Sequence, residues 1–254
     1  MAKSIYVFDI DGTLAESGKP IDLQILQLLD KLKTNFGCEL GLCGGGKFEK
    51  ACTQALDTNL FDHIFAECGC DYRKYNPETN EYKVVCEQNI RSHRLFKEIN
   101  ILIKYCLKFI SEMDYNLGGH MIDIRKGIVY VSLIGMTATD KEREEFIALD
   151  QANGYRNQLV TQLNKLITVL GCDNQIQVMI GGVVGITLMP TTHDKVQILN
   201  HLDPSVYKQI KYFGDKYELG GNDHTIMKNS RVQAYRVSSP EETKKLILNI
   251  IGIE

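Results

Sequence analysis

The chain has 254 residues, 44% of them hydrophobic and 24% charged, a composition that suits a globular protein long enough for one large domain or two modest ones. Its 29 Lys and Arg against 32 Asp and Glu leave a net charge of -3, which gives no global electrostatic case for nucleic acid or for an anionic membrane surface. No signal peptide or apolar run of membrane-spanning length is recognised, and the eight cysteines follow no zinc-ligand spacing, so buried free thiols in a reducing cytoplasm are expected.

In chain order, the apolar run Ile5-Tyr6-Val7-Phe8 predicts a buried strand that delivers Asp9-Ile10-Asp11-Gly12-Thr13 to its C-terminal edge. In a parallel α/β sheet that edge is where ligands bind. Gly12 permits a tight turn there. Ile21, Ile25, Leu28, Leu29, Leu32 and Phe36 then recur at helical spacing behind Asp22, a cap residue. Residues 39–43 read as the next strand. It runs into Gly44-Gly45-Gly46 and a helix start whose backbone N–H groups could cradle phosphate.

A polar hairpin over residues 72–83 leads out of this pattern, and the next hundred residues change character. A long helix is expected over 88–111, then strands at 121–124 and 128–131 around the turn Arg125-Lys126-Gly127. Helices over 140–153 and on to about 170 precede apolar runs at 176–180 and 183–189. The chain then returns to strand character from Ile210 to Tyr212-Phe213-Gly214-Asp215, followed by Gly220-Gly221-Asn222-Asp223. Ser239-Pro240-Glu241-Glu242 reads as a capping box that opens a terminal helix lined by Leu246, Ile247, Ile250 and Ile251. These alternations predict an α/β fold: a core of residues 1–84 and 188–254, interrupted by an α/β cap over 85–187.

Two carboxylates one residue apart can divide the work of nucleophile and proton carrier. Asp215, at a second strand end, suits an oxygen-ligated Mg²⁺. The six histidines show no helical pairing for a histidine metal site. Asp9-Ile10-Asp11-Gly12-Thr13 resembles the first motif of the haloacid dehalogenase (HAD) superfamily of aspartate-nucleophile phosphotransferases. Within that superfamily the chain resembles the eukaryotic-type phosphomannomutases over nearly its whole length. The likeness is carried by Phe48-Glu49-Lys50, Gln88-Asn89-Ile90, Tyr105-Cys106-Leu107, Ile124-Arg125, Ile134-Gly135, Glu142-Arg143, Gly181-Gly182, Asp194-Lys195, Phe213-Gly214-Asp215-Lys216 and Gly221-Asn222-Asp223-His224.

The resemblance implies a HAD-like, Rossmann-like parallel sheet core with an inserted α/β cap. It implies Asp9 as nucleophile, Asp11 as proton donor and acceptor, and Lys195 as their catalytic partner. Mg²⁺ would be held by Asp9, Asp11 and Asp215, with Asp223 behind them. Arg125, Arg143 and Thr187 form the implied substrate set, although a surface ion pair is the plain alternative for each arginine. The implied activity interconverts mannose 6-phosphate and mannose 1-phosphate and feeds GDP-mannose synthesis, with a hexose bisphosphate activator and a homodimer formed through the cap.

Five positions depart from the family pattern where it grips sugar phosphate. Gly18 and Met136 replace arginines, Gly46 replaces a Ser or Thr, and Gly185 and Thr187 replace a Ser and an Asp. These departures keep two alternatives open. One is a Mg²⁺-dependent sugar-phosphate phosphatase of the same fold, and the other is a noncatalytic sugar-phosphate-binding protein.

Overall fold

The computed structural model describes residues 3–56 and 59–252. Its larger sheet has seven strands in the order β11-β10-β1-β2-β3-β4-β5. They are β1 (Lys3–Phe8), β2 (Glu39–Cys43), β3 (His63–Ala66), β4 (Asp71–Asn76), β5 (Glu81–Glu87), β10 (Tyr207–Gly214) and β11 (Val232–Arg236). The pairs β10–β11, β1–β10, β1–β2 and β2–β3 are parallel, and β3–β4 and β4–β5 are antiparallel.

Strand β1 is a continuous apolar run because both of its faces are covered. Tyr6 and Phe8 join a cluster with Leu29 and Leu32 of α1 (Leu23–Phe36) and Ile247 of α7 (Pro240–Ile251). Ile5 and Val7 pack on the opposite side with Ile198, Leu202 and Ile226. Asp22 caps α1 by accepting from the Gln24 N–H at 2.7 Å, and Gly37 ends it in the left-handed region.

A four-stranded antiparallel sheet, β6-β7-β9-β8, forms the other unit. Its strands are β6 (Ile122–Ile124), β7 (Val129–Ser132), β8 (Ile176–Gly181) and β9 (Gly185–Pro190). Val129, Val131, Ile186 and Leu188 face a core built with α3 (Phe96–Ser111), α4 (Asp140–Asn153) and α5 (Tyr155–Val169). Packing divides the chain into residues Met1–Gln88 with Asp194–Glu254, and residues Asn89–His193. The sequence reading set these divisions at 84/85 and 187/188; they fall later because β5 continues to Glu87 and β9 to Pro190.

Two local readings change. The helix expected over 88–111 starts only at Phe96. A 3₁₀ turn, Ile90–Ser92, comes first, with Asn89 capping the Arg91 N–H at 3.1 Å, and extended His93 then breaks the run. At the start of α7, Ser239 caps the Glu242 N–H at 3.3 Å, but the Glu242 carboxylate reaches Ser238 rather than closing the reciprocal box. The closed box lies elsewhere, between Thr139 and Glu142 at the start of α4.

Glu39 ties the lower edge of the larger sheet together. It accepts from His63 Nε2 at 2.7 Å, from the Tyr207 hydroxyl at 2.6 Å and from the Lys3 ammonium. Burial opposes its charge, yet the His63, Lys3 and Tyr207 donors hold its carboxyl far below the ordinary value. A depressed folded-state pKa contributes stability above the unfolded value, near 4.5, and that contribution is lost as pH falls. Glu39→Gln is therefore expected to cost about 2 kcal/mol at pH 7. Thermal melts from pH 7 down to 3 should show the gap to wild type narrowing below about pH 4.5.

Candidate active site

The turn after β1 is folded tightly, with Gly12 N–H donating to Ala15 O at 2.7 Å and Leu14 N–H to Ile10 O at 3.0 Å. Gly12 has φ +92, and a Cβ there would stand 2.4 Å from Asp215 Oδ2. Only glycine lets this backbone lie against that carboxylate. Asp215 follows β10, beside β1 in the sheet, so two neighbouring strand ends deliver the acids.

Asp9 is 3% exposed, and Lys195, fully buried, donates to its Oδ1 at 2.6 Å. The same ammonium donates to Asp223 Oδ1 at 2.7 Å. Asp223 also accepts from the Tyr212 hydroxyl at 2.6 Å and, at Oδ2, from the Lys216 N–H at 3.1 Å. Burial opposes the charge of Asp223, but Lys195, Tyr212 and Lys216 hold its carboxyl below the ordinary value. Burial pushes Asp9 up to about 7, against the pull of Lys195.

Carboxylate oxygens of Asp9, Asp215 and Asp223 lie within 4.8 Å of one another. Asp215 Oδ1 and the side-chain oxygen of nearby Asn222 are buried without a hydrogen-bond partner. Buried acceptors left in this state are costly unless a cation or ligand serves them. The donor set is all oxygen, which fits Mg²⁺. Asp223 is already served by three donors, leaving Asp9 and Asp215 as the carboxylates available to an ion.

Asp11 is directed elsewhere. Its Oδ1 accepts from the Gly18 N–H and from Gln54 Nε2, both at 2.8 Å, and its Oδ2 from Lys50 Nζ at 2.7 Å. Burial works against the charge, but these donors keep its carboxyl below the ordinary value. Asp11 is expected at the metal through its backbone carbonyl, and its carboxylate accordingly lies outside the cluster of Asp9, Asp215 and Asp223. Gly18, in the position of a family arginine, instead supplies this N–H from a turn with φ +76.

Sequence reasoning missed Lys50, Gln54, Tyr212 and Thr13. Lys50 and Gln54 are four residues apart on α2 (Phe48–Gln54), the spacing that puts two side chains on one helix face and that could have revealed them. The Thr13 hydroxyl is buried with no partner, as befits a group awaiting ligand. A Cβ at Gly46 would lie 3.0 Å from Lys50 Cδ, so the Lys50 stem crowds the place of the missing family hydroxyl.

In the other unit, Arg125 Nε donates to Asp123 Oδ2 at 2.8 Å and its guanidinium sits 5.2 Å from the Tyr130 ring centre. Arg143 donates to the backbone carbonyls of Ala138 at 3.0 Å and Met136 at 2.7 Å. The ion pair considered for Arg143 thus gives way to backbone anchoring, while Arg125 does pair with a carboxylate. Thr187 lies on β9 directly opposite Tyr130.

The profile of the family "Eukaryotic phosphomannomutase" matches residues 25–253. The chain belongs to this family. A "Probable phosphomannomutase" of Caenorhabditis elegans is 30% identical, over 98% of this chain and 96% of its own. "Phosphomannomutase 1" of Dictyostelium discoideum is 31% identical, over 96% and 95%. Among solved structures, a haloacid dehalogenase-like hydrolase from Bacteroides thetaiotaomicron superposes with a TM-score of 0.57 at 16% identity, covering 98% of this chain and 99% of that one. That likeness shows the fold: a HAD-like α/β architecture. Membership of the phosphomannomutase family makes the chain an enzyme of the isomerase class, in a family that acts on hexose phosphates. No helix among the described residues is long and apolar enough to cross a membrane.

Proposed function

We propose that the chain is a Mg²⁺-dependent phosphotransferase that interconverts mannose 6-phosphate and mannose 1-phosphate and supplies GDP-mannose synthesis. The observation that carries this reading is the buried Asp9–Lys195–Asp223 bridge beside the unpartnered Asp215 oxygen, within a family match of nearly full length.

Asp9 attacks phosphorus through the oxygen that Lys195 leaves open, the bond from phosphorus to the sugar oxygen breaks, and an aspartyl phosphate forms. Lys195 keeps Asp9 oriented and counters the charge of the transferring phosphoryl group. Asp11 takes the proton from the incoming sugar hydroxyl in one half-reaction and returns it to the leaving sugar oxygen in the next. Its three donors, Gly18, Gln54 and Lys50, hold it as the carboxylate that accepts. Asp9, Asp215 and the Asp11 backbone carbonyl would hold Mg²⁺, with Asp223 supporting from behind. When bound, the ion supplies positive charge that offsets repulsion between carboxylate and phosphate.

A mutase needs a second phosphate-binding place, and we assign Arg125 and Arg143 to it, since guanidinium forks suit phosphate. Thr187 belongs to the same substrate set. A hexose bisphosphate activator, a homodimer formed through the unit that carries these arginines, and a cytoplasmic location complete the proposal. Buried thiols such as Cys43, Cys68 and Cys106 suit a reducing compartment.

A phosphatase is the second reading, favoured by Gly46 and Met136, where family groups that retain phosphate are absent. Phosphorus NMR of the protein with mannose 1-phosphate, Mg²⁺ and a hexose bisphosphate decides between them. Growth of mannose 6-phosphate is expected. Accumulating free phosphate would establish the phosphatase, and an unchanged spectrum would leave only a binding protein.

A further inference from the structure

The sheet of the unit Asn89–His193 has one face packed on its helices, and the side chains that alternate with that face form a cross-strand row. Asp123, Tyr130, Thr187 and Met179 are consecutive register partners across β6, β7, β9 and β8. Tyr130 is the large member of the row. A Cβ at Gly185 would lie 2.6 Å from the Tyr130 hydroxyl and from its Cζ, and one at Gly182 would lie 2.9 Å from the hydroxyl. The tyrosine therefore occupies the room that side chains at both positions would take. Gly185, a departure from the family pattern, is the counterpart of Tyr130.

Three arginines bear on this residue. Arg125 lies 5.2 Å from the ring centre, and Arg156 Nη1 donates to the Gly182 carbonyl, at 3.5 Å, beside the hydroxyl. Arg143, tied to the Met136 and Ala138 carbonyls, acts on the same hydroxyl electrostatically, as Arg125 and Arg156 do. Asp123 pairs with Arg125, and Asp150 takes Arg156 Nε at 2.7 Å and the Arg156 N–H at 2.8 Å. Arg143 thus gives its hydrogen bonds to backbone carbonyls rather than to a carboxylate, and the phenol has no hydrogen-bond partner among the described residues. An anion with acceptor oxygens satisfies both conditions.

We propose that Tyr130 is a specificity-determining residue of this face: its hydroxyl donates to an oxygen of the phosphate monoester that Arg125 and Arg143 bind, in place of the arginine absent at Met136. The inference rests on the phosphotransferase reading above for the identity of the ester. The row offers little to read sugar hydroxyls by acceptance, because its carboxylate, Asp123, is committed to Arg125. Recognition therefore falls on the phosphate, through donors.

Tyr130→Phe keeps the ring and removes only the donor. With mannose 1-phosphate, Mg²⁺ and a hexose bisphosphate, KM should rise about tenfold, the scale of a hydrogen bond to a charged group. The maximal rate should hold, because this phosphate is gripped equally in ground and transition states. Phosphorylation of Asp9 by acetyl phosphate, which has no second group to hold, should be unchanged. An unchanged KM overturns the proposal, as does a loss of labelling equal to the loss of turnover, which would mean general damage. Should wild type show no turnover, the phosphotransferase reading falls, and Tyr130 is judged by binding. Its ring resonance in ¹³C-tyrosine-labelled protein, assigned by its disappearance in Tyr130→Phe, is then followed while mannose 1-phosphate is added. A saturable shift supports the proposal and a stationary resonance overturns it.

Discussion

Asp9→Asn is expected to abolish turnover, by roughly 10⁴-fold or more, while leaving the fold intact. The amide has the shape of the carboxylate, and its oxygen can still accept from Lys195 Nζ, which lies 2.6 Å from Asp9 Oδ1. What disappears is the anionic oxygen that attacks phosphorus in the proposed mechanism. Stability should hold or rise slightly, because Asp9, Asp215 and Asp223 bring three carboxylates within 4.8 Å of one another and Lys195 bridges Asp9 and Asp223. Single-turnover labelling with a radioactive phosphoryl donor, run beside a melting curve, separates these expectations. Acid-stable, base-labile label that persists at wild-type level in Asp9→Asn would remove Asp9 as the nucleophile.

Those parts of the fold that are legible in the sequence are the parts where one physical signal dominates. Strand β1 reads as unbroken apolar because it is buried on both faces, and α1 is announced by its period and by Asp22 at its cap. The turn Ile90–Ser92 is hidden because its break depends on a side-chain cap from Asn89 and an extended His93, while the apolar positions beyond keep a helical rhythm. Strand β3 is four residues long and begins with His63, whose burial makes sense only once Glu39 and the Tyr72 hydroxyl are in place at 2.7 and 2.9 Å. Such contacts join residues far apart in sequence, and no local pattern reports them.

The active site follows the same division. Asp9 and Asp215 sit at strand ends, where an apolar run stopping at a carboxylate is visible in one dimension. Lys195 carries no local mark; the family order of motifs singles it out, and its meaning appears only in the bridge to Asp9 and Asp223. Tyr212 reads as one more strand aromatic until its hydroxyl is found on Asp223. Asp11 is the instructive case, since its neighbour in sequence is Asp9 but its partners in space are Gly18, Lys50 and Gln54. A turn pinned by Gly12 sends two acids one residue apart to different electrostatic surroundings. In the proposed mechanism that separation allows one to attack and the other to move a proton.

Lys195→Met should have the largest effect on stability. The ammonium lies 2.6 Å from Asp9 and 2.7 Å from Asp223, and none of the three side chains is more than 5% exposed. Methionine fills a similar volume but leaves two buried carboxylates without their cation, a change that costs about 3–5 kcal/mol. For a chain of this size that corresponds to a fall of about 10 °C in melting temperature. Two further measurements separate lost charge from lost packing. Adding Asp223→Asn to Lys195→Met removes one of the stranded charges, so the double variant should recover a large part of the loss, and the double-mutant cycle should show strong coupling. Mg²⁺ should stabilise Lys195→Met more than wild type, because an ion that binds only the folded carboxylates raises stability by mass action. Phosphorylation should nonetheless stay severely impaired at saturating Mg²⁺, since the positive group aimed at the transferring phosphoryl is gone. Additive single-variant losses together with an equal Mg²⁺ response would mean that Lys195 acts through its packing alone, and the electrostatic account of this site would fall.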